Sequence, residues 1–479
     1  MIKSKLISLL QTFSKQEFRY LGDFVNSPYF NKEKVLMELY NILKKHYPVF
    51  SPEGFTREII YESLFPGKKF NDAILRNTFS KFLKLAGKFL SVYHFGRNEF
   101  HSRLFLLEEL KARKQEGLFV KQWSEAESSL EEDSIKNEDY FLKKYTLENL
   151  YNEFRKITKN YMVFTDKDEA ASYDYLLNSF LTNILKVNAT IINSNKNFFG
   201  ENHSFILLDE VESYLKKNQR RLSSNVYLKY YYCSIKLFQT DEDKYFFELR
   251  DLISSELESF SIPDKKNILT TLTNYCYYRI NRGELKFVDE QFSLYKLNIE
   301  KKIYKGDRGF LSHILFMNVV TTGLDAGESG WVEDFIQRYC DELKNEHKNN
   351  MYNFSFALLQ FRKRNYDLAI EFASRIISDD LSYKHQLKSF YLKVYYELGE
   401  VQPFYSHVDS YKHFVKNDKL LSGDSREYIS NYISLTKKLF DLKNSPVHDD
   451  IEIQFLTGEI LQNKFLINKY WLLNKVKEL

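Results

Sequence analysis

Three segments that read as second helices of helical hairpins start at one constant interval: Trp331, Tyr366 and Val401 stand 35 residues apart. In the middle unit, Asn353–Asn365 followed by Tyr366–Ser378, the charged run Arg362, Lys363, Arg364 ends one helix and Asn365 turns the chain. Tyr366, Ala369, Ile370, Ala373 and Ile377 then return at the three-and-four spacing of a buried helical stripe. The next unit runs from Leu387 through Tyr391, Tyr395 and Leu398 to Gly399, after which Val401, Phe404, Tyr405 and Val408 resume the stripe. No isolated hairpin buries its apolar face, so a fixed period with two helices per unit requires the units to stack.

Ala357, Tyr366 and Ala369 carry a resemblance to the tetratricopeptide repeat family, whose pattern has a small residue in the first helix, a tyrosine opening the second and an alanine three positions later. The neighbouring units are degenerate: Leu392 and Phe404 are large where the pattern is small, and Leu381 stands where a proline often ends the unit. The resemblance implies an α-solenoid whose first helices line a surface for a peptide or protein partner. By repeat position it assigns Tyr277, Arg362, Lys393 and Tyr396 to that surface.

Composition agrees with a helical chain. The 479 residues include 41 Phe and 35 Tyr but only 16 Gly and 7 Pro, with no proline between Pro66 and Pro263 and no glycine between Gly117 and Gly200, which leaves too few chain breakers for a sheet protein. The aromatics recur at helical spacing, as in Tyr227 with Tyr231 and Tyr391 with Tyr395, so they read as packing between hairpins rather than as stacking platforms. Cys233, Cys276 and Cys340 lie far apart inside apolar patterns, neither a disulfide framework nor a zinc spacing, and read as buried thiols in a reducing compartment. The apolar run near Leu6 and Leu10 is too short for a secretory signal and far below a membrane span, so a cytoplasmic protein is expected.

Along the chain, Ser14 with Glu17 forms a capping box and starts a helix at Lys15. Asn31, Thr56 and Asn71 cap three further helices, the last running to about Phe95. Longer paired helices follow: Arg103–Glu116, Leu118–Asp133, Glu138–Val163 and Lys167–Asn193, then a loop over Asn193–Asn202. Beyond it helices are expected over Phe205–Lys217, Asn225–Phe238, Lys244–Glu258, Lys265–Ile280 and Leu285–Leu297, with Gly283 in the role of Gly399. Final helices over Ser425–Leu442 and Ile451–Lys477 close the end of the array. The organisation is a basic helical module (1–97), an α-solenoid (98–422) and C-terminal capping helices (423–479), all-α throughout.

No chemistry-bearing motif survives inspection. Gly323, Gly327 and Gly330, like Gly306 and Gly309, lack the Lys-Ser/Thr and the preceding strand of nucleotide loops and read as inter-helix turns. His407 and His413, and His94 and His101, are not at metal-ligand spacing, and the run Glu131, Glu132, Asp133 reads as a solvated face. An enzyme, a cofactor and a metal are therefore not expected.

The charge feature is the helix after Asn71, where Arg76, Lys81, Lys84 and Lys88 oppose an apolar face. Residues 1–100 hold 16 Lys and Arg against 9 Asp and Glu, and the remainder 53 against 56. The run Arg57–Leu85, through Phe65-Pro66 and Leu75-Arg76-Asn77, resembles two helices of winged-helix transcriptional activators that carry helical repeats, although no β-hairpin wing follows Phe95. That resemblance implies an alternative: a regulator whose basic module contacts nucleic acid phosphates while the solenoid senses a partner. The opening module, with Ser27–Lys32, is also similar to uncharacterised bacterial proteins, which implies no function.

Overall fold

A computed structural model describes the chain except residues 1–3, 52–53, 159–165, 198–203, 306–308, 378–380, 419–420, 422, 446–449 and 464–465. The chain is all-α: the described residues form twenty-four α-helices and no β-strand, only a single bridge between Leu311 and Leu343. By its contacts it divides into two compact units, Met1–Glu132 with Leu142–Tyr175, and Asp133–Phe141 with Leu176–Leu479.

The first unit begins with α1 (Lys5–Leu10), α2 (Lys15–Asn26), α3 (Lys34–His46), α4 (Arg57–Leu64) and α5 (Asp72–Arg97). Their starts follow from side chains that accept otherwise unpaired amide N–H groups. Ser14 and Glu17 make the expected reciprocal capping box, and Asn71 Oδ1 accepts from Ala73 and Ile74. Asn31 does not cap α3. Its Oδ1 accepts from Glu33 N at 2.9 Å and its Nδ2 donates to Val25 O at 2.9 Å, so it folds the α2–α3 link on itself and α3 begins later, at Lys34. These five helices enclose one core from Leu6 to Phe89. Asn98 alone separates α5 from α6 (Glu99–Ala112), so the boundary expected after residue 97 is a one-residue junction inside the unit. After α7 (Glu116–Glu131), α8 (Glu138–Thr158) and α9 (Asp166–Asn197) each cross the division between units. The loop expected over Asn193–Asn202 is helical to Asn197, and its remainder lies outside the described residues.

The second unit continues with α10 (Leu208–Lys217), α11 (Gln219–Ser224), α12 (Val226–Thr240), α13 (Asp243–Ser255), α14 (Ile262–Asn281), α15 (Phe287–Glu300), α16 (His313–Asp325) and α17 (Ser329–Tyr339). It ends with α18 (Asn345–Arg362), α19 (Tyr366–Ser374), α20 (Leu381–Leu398), α21 (Val401–Asn417), α22 (Gly423–Lys443), α23 (Asp450–Gln462) and α24 (Lys469–Lys477). From α12 to α21 consecutive helices pair tightly, and the five pairs turn on a left-handed residue: Asp241, Gly283, Gly327, Arg364 and Gly399. In three of these turns the amide three places after the helix reaches back five residues, from Glu284 to Arg279 O, Glu328 to Gly323 O and Asn365 to Gln360 O. That bond satisfies a carbonyl the helix end leaves open and reverses the chain tightly. The same turn joins α6 to α7 at Lys114.

Tyr366 and Val401 are the first residues of α19 and α21, but Trp331 is the third residue of α17, because the turn at Gly327 starts that helix at Ser329. Gly323, expected in the loop, lies inside α16. A Cβ there would stand 2.6 Å from Val332 Cγ2 and 2.8 Å from Phe292 Cε2, so this glycine leaves the space that side chains of α17 and α15 fill against α16.

Adjacent pairs are bound to each other as well. Arg279, at the end of α14, reaches Asp241 (3.4 Å) and Asp243 (3.0 Å) of the preceding turn and Glu284 of its own. Arg250 on α13 pairs with Glu290 on α15 at 2.9 Å, and Lys286 with Asp243 at 2.9 Å. Between these rows the rings of Phe246, Tyr275 and Phe287 meet in the core at 5.3 to 5.7 Å, the inter-hairpin use of aromatics expected from their spacing.

The end of the chain departs from expectation. The helix expected over Ile451–Lys477 is two helices, α23 and α24, with Asn468 in the left-handed region at the start of the second. Tyr470 then donates to Asp325 O, 145 positions earlier, at 2.9 Å, so α24 returns across the unit.

Candidate functional site

The segment around α24 brings the first helices of four successive pairs to one place. At its start, Asn468 accepts from Lys393 Nζ at 2.8 Å and donates to Ser389 Oγ at 3.0 Å, both on α20. Tyr470 reaches the C-terminal end of α16. Trp471 meets Tyr396 edge-on at 5.2 Å, and Lys393 Nζ lies 5.6 Å from its ring. One turn later Lys475 pairs with Glu397 at 2.7 Å. Leu472, Leu473 and Val476 complete the buried stripe of α24.

Two cavities flank this segment. One, of about 420 Å³, is lined by Asp325, Arg362, Arg364, Tyr366, Trp471 and Lys475 among others. The other, of about 400 Å³, includes Tyr277 and Asn274 of α14, Gln291 of α15, Asn318 and Asp325 of α16, and Tyr470. Asp325 and Tyr470 therefore wall both, and the linings are mostly polar.

All four residues assigned from the repeat pattern lie at this place, in unequal roles. Tyr277 is 58% exposed and lines the second cavity, and Arg362 lines the first. Lys393 is half-buried under α24. Tyr396 is only 2% exposed, held between Phe440 and Trp471, so it supports α24 from beneath and offers no open surface. Repeat position cannot separate an outward from an inward ring on one helix, and neither can it anticipate a helix laid over both.

The electrostatics follow from this burial. Exclusion from water raises the Asp325 carboxyl to about 6, against the opposing pull of Lys393 and Arg362. The same exclusion pushes Lys393 down to about 8 although Asp325 favours its charged form. Burial also works against the charge of Lys475, but its hydrogen bonds to Glu397 and Glu478 prevail and hold it above the ordinary lysine value.

The basic face of α5 is partly neutralised by the chain itself. Arg76 pairs with Asp72 at 3.0 Å and Lys81 with Glu33 at 2.7 Å. Lys88 sits 5.5 Å over the Phe30 ring, and Lys84 is exposed with no ion pair among the described residues.

Cys233 and Cys276 are buried and Cys340 half-buried, all free, and burial raises each thiol above its ordinary value. The rings of His313 and His347, 34 positions apart, lie 4.0 Å from each other at a 40° tilt, beside a cavity of about 680 Å³ that Lys266 and Lys344 also line. Among the described residues no group of three His, Cys, Asp or Glu is placed to hold a metal ion, and no helix is long and apolar enough to cross a membrane.

Compared with known proteins, the chain matches no family model, no curated protein and no solved structure.

Proposed function

We propose that the protein is a non-catalytic interaction scaffold, an α-solenoid of tetratricopeptide-like hairpins that binds a peptide or protein segment across the first helices α14, α16, α18 and α20. The observation that carries this reading is that α24, a helical segment, is held on α20 by Lys393, Ser389 and Glu397 and on α16 through Tyr470, while Tyr277 of α14 and Arg362 of α18 line the cavities beside it. Clefts between packed helices with a few convergent polar groups are where chains of this class take ligands. A cytoplasmic setting belongs to the same reading, supported by three free cysteines.

Affinity isolation of the intact protein from its own cells tests it, run beside Tyr277→Ala and Arg362→Glu. The reading expects a protein partner that both substitutions deplete. Equal recovery with all three proteins contradicts it.

The nucleic-acid alternative rests on the charge of the first 100 residues, and internal pairing of Arg76 and Lys81 counts against it. It would require gel-shift affinity that falls steeply as salt rises and depends on Arg76, Lys81, Lys84 and Lys88.

A further inference from the structure

We propose that α24 is a displaceable internal ligand: it holds the partner face closed, and the partner that opens it is a helical peptide with an aromatic pair followed one turn later by a lysine, the arrangement of Tyr470, Trp471 and Lys475. This rests on the peptide-binding reading of that face.

Three observations carry it. First, the seat recognises α24 from both ends by polar side-chain bonds rather than by apolar contact alone. Lys393 and Ser389 hold Asn468, and Glu397 holds Lys475. Such contacts specify an orientation and a charge that a second helix can reproduce.

Second, α24 does not fill the face it covers. Cavities of about 420 and 400 Å³ remain beside it, lined by Arg362, Arg364, Asn274 and Asn318, and the buried Trp471 Nε1 has no hydrogen-bond partner among the described residues. An unpaired buried donor and open polar space leave room for an occupant that binds better than the internal one.

Third, α24 has nine residues, too few to remain helical away from its seat, so its release is a local unfolding of one short element. Opening also returns water to Asp325 and Lys393, both desolvated in the closed form. Competition by an internal copy weakens any external helix by the effective concentration of the tethered one.

The test uses the full chain and a fluorescent synthetic peptide of residues 463–479, followed by anisotropy. Trp471→Ala in the protein weakens the internal copy and is expected to bind the peptide roughly tenfold or more tightly than the unmodified protein. Adding Glu397→Lys to that variant abolishes the gain, and a peptide carrying Lys475→Glu restores it. Peptide binding that Trp471→Ala leaves unchanged, or that ignores the charge at residue 397, overturns the proposal.

Hydrogen exchange on the unmodified protein keeps the question decidable if Trp471→Ala does not fold. Amides of α24 are expected to exchange by a separate opening, ahead of those of α20 and α22. Exchange of α24 only together with α22 overturns the internal-ligand proposal while leaving the partner face intact, provided Tyr277→Ala still depletes a partner. Separate opening of α24 with no peptide binding overturns both.

Discussion

Gly323→Ala puts the packing of the hairpins to a quantitative test when paired with Gly458→Ala. Both glycines lie inside helices, α16 and α23, and replacing either with alanine gains about 1 kcal/mol of helix propensity. Their surroundings differ. A Cβ on Gly458 meets nothing within 4 Å, whereas one on Gly323 stands 2.6 Å from Val332 Cγ2 and 2.8 Å from Phe292 Cε2. Val332 is 0% and Phe292 4% exposed, and Trp331 packs edge-on against Phe292 at 5.1 Å, so neither neighbour has space to withdraw. Overpacking of this kind costs about 1–3 kcal/mol, and because the propensity term is common to both variants, that range is also the expected gap between them. Gly458→Ala should raise the urea midpoint and Gly323→Ala should leave it unchanged or lower it, with circular dichroism and tryptophan fluorescence as readouts. A midpoint for Gly323→Ala equal to or above that of Gly458→Ala would refute the close approach of α15, α16 and α17.

Other expectations follow from single features. Lys114 is exposed at φ 54°, a conformation that costs an L-residue about 1–2 kcal/mol, so Lys114→Gly should stabilise the first unit by up to about 1 kcal/mol in urea denaturation. Arg279→Leu removes the cation that Asp241, Asp243 and Glu284 share, while Asp241 keeps Arg282 and Asp243 keeps Lys286, and should cost about 1–2 kcal/mol, read as a lower urea midpoint. Asp325 has a folded pKa of about 6, above its ordinary 3.8, so it contributes stability at low pH that is lost as pH rises through 6. The thermal midpoint of the unmodified protein relative to Asp325→Asn should therefore climb as pH falls from 7 to 4, by the equivalent of about 2–3 kcal/mol; a constant difference would contradict the burial of this carboxyl.

The sequence made the helices and several of their starts legible because caps are local: Ser14 with Glu17, and Asn71, act within three residues of themselves. The helix pairing was half legible. Gly283, Gly327 and Gly399 announce three turns, but Asp241, Arg364 and Lys114 adopt the same left-handed conformation without the residue that signals it, and the turns from Asp241 to Gly399 are unevenly spaced. Gly323 misled in the opposite direction, since a glycine conserving space inside a helix looks the same in sequence as one that turns a chain. Nothing local distinguishes Tyr277, exposed, from Tyr396, buried, and nothing at all in the sequence ties Tyr470 to Asp325. The placement of α24, and with it the character of the candidate site, is set by contacts too distant for periodicity to register.

Zero-length carbodiimide cross-linking of the native protein, read by mass spectrometry, tests the central claim most directly, because it joins only amines and carboxylates already in contact. Stacked hairpins closed by α24 predict links between Lys286 and Asp243, Lys363 and Glu333, Lys438 and Glu459, and Lys475 and Glu397, which stand 2.9, 2.6, 2.7 and 2.7 Å apart. The first three links without the fourth, with Lys475 joined only to Glu478, would contradict the seating of α24 on the first helices.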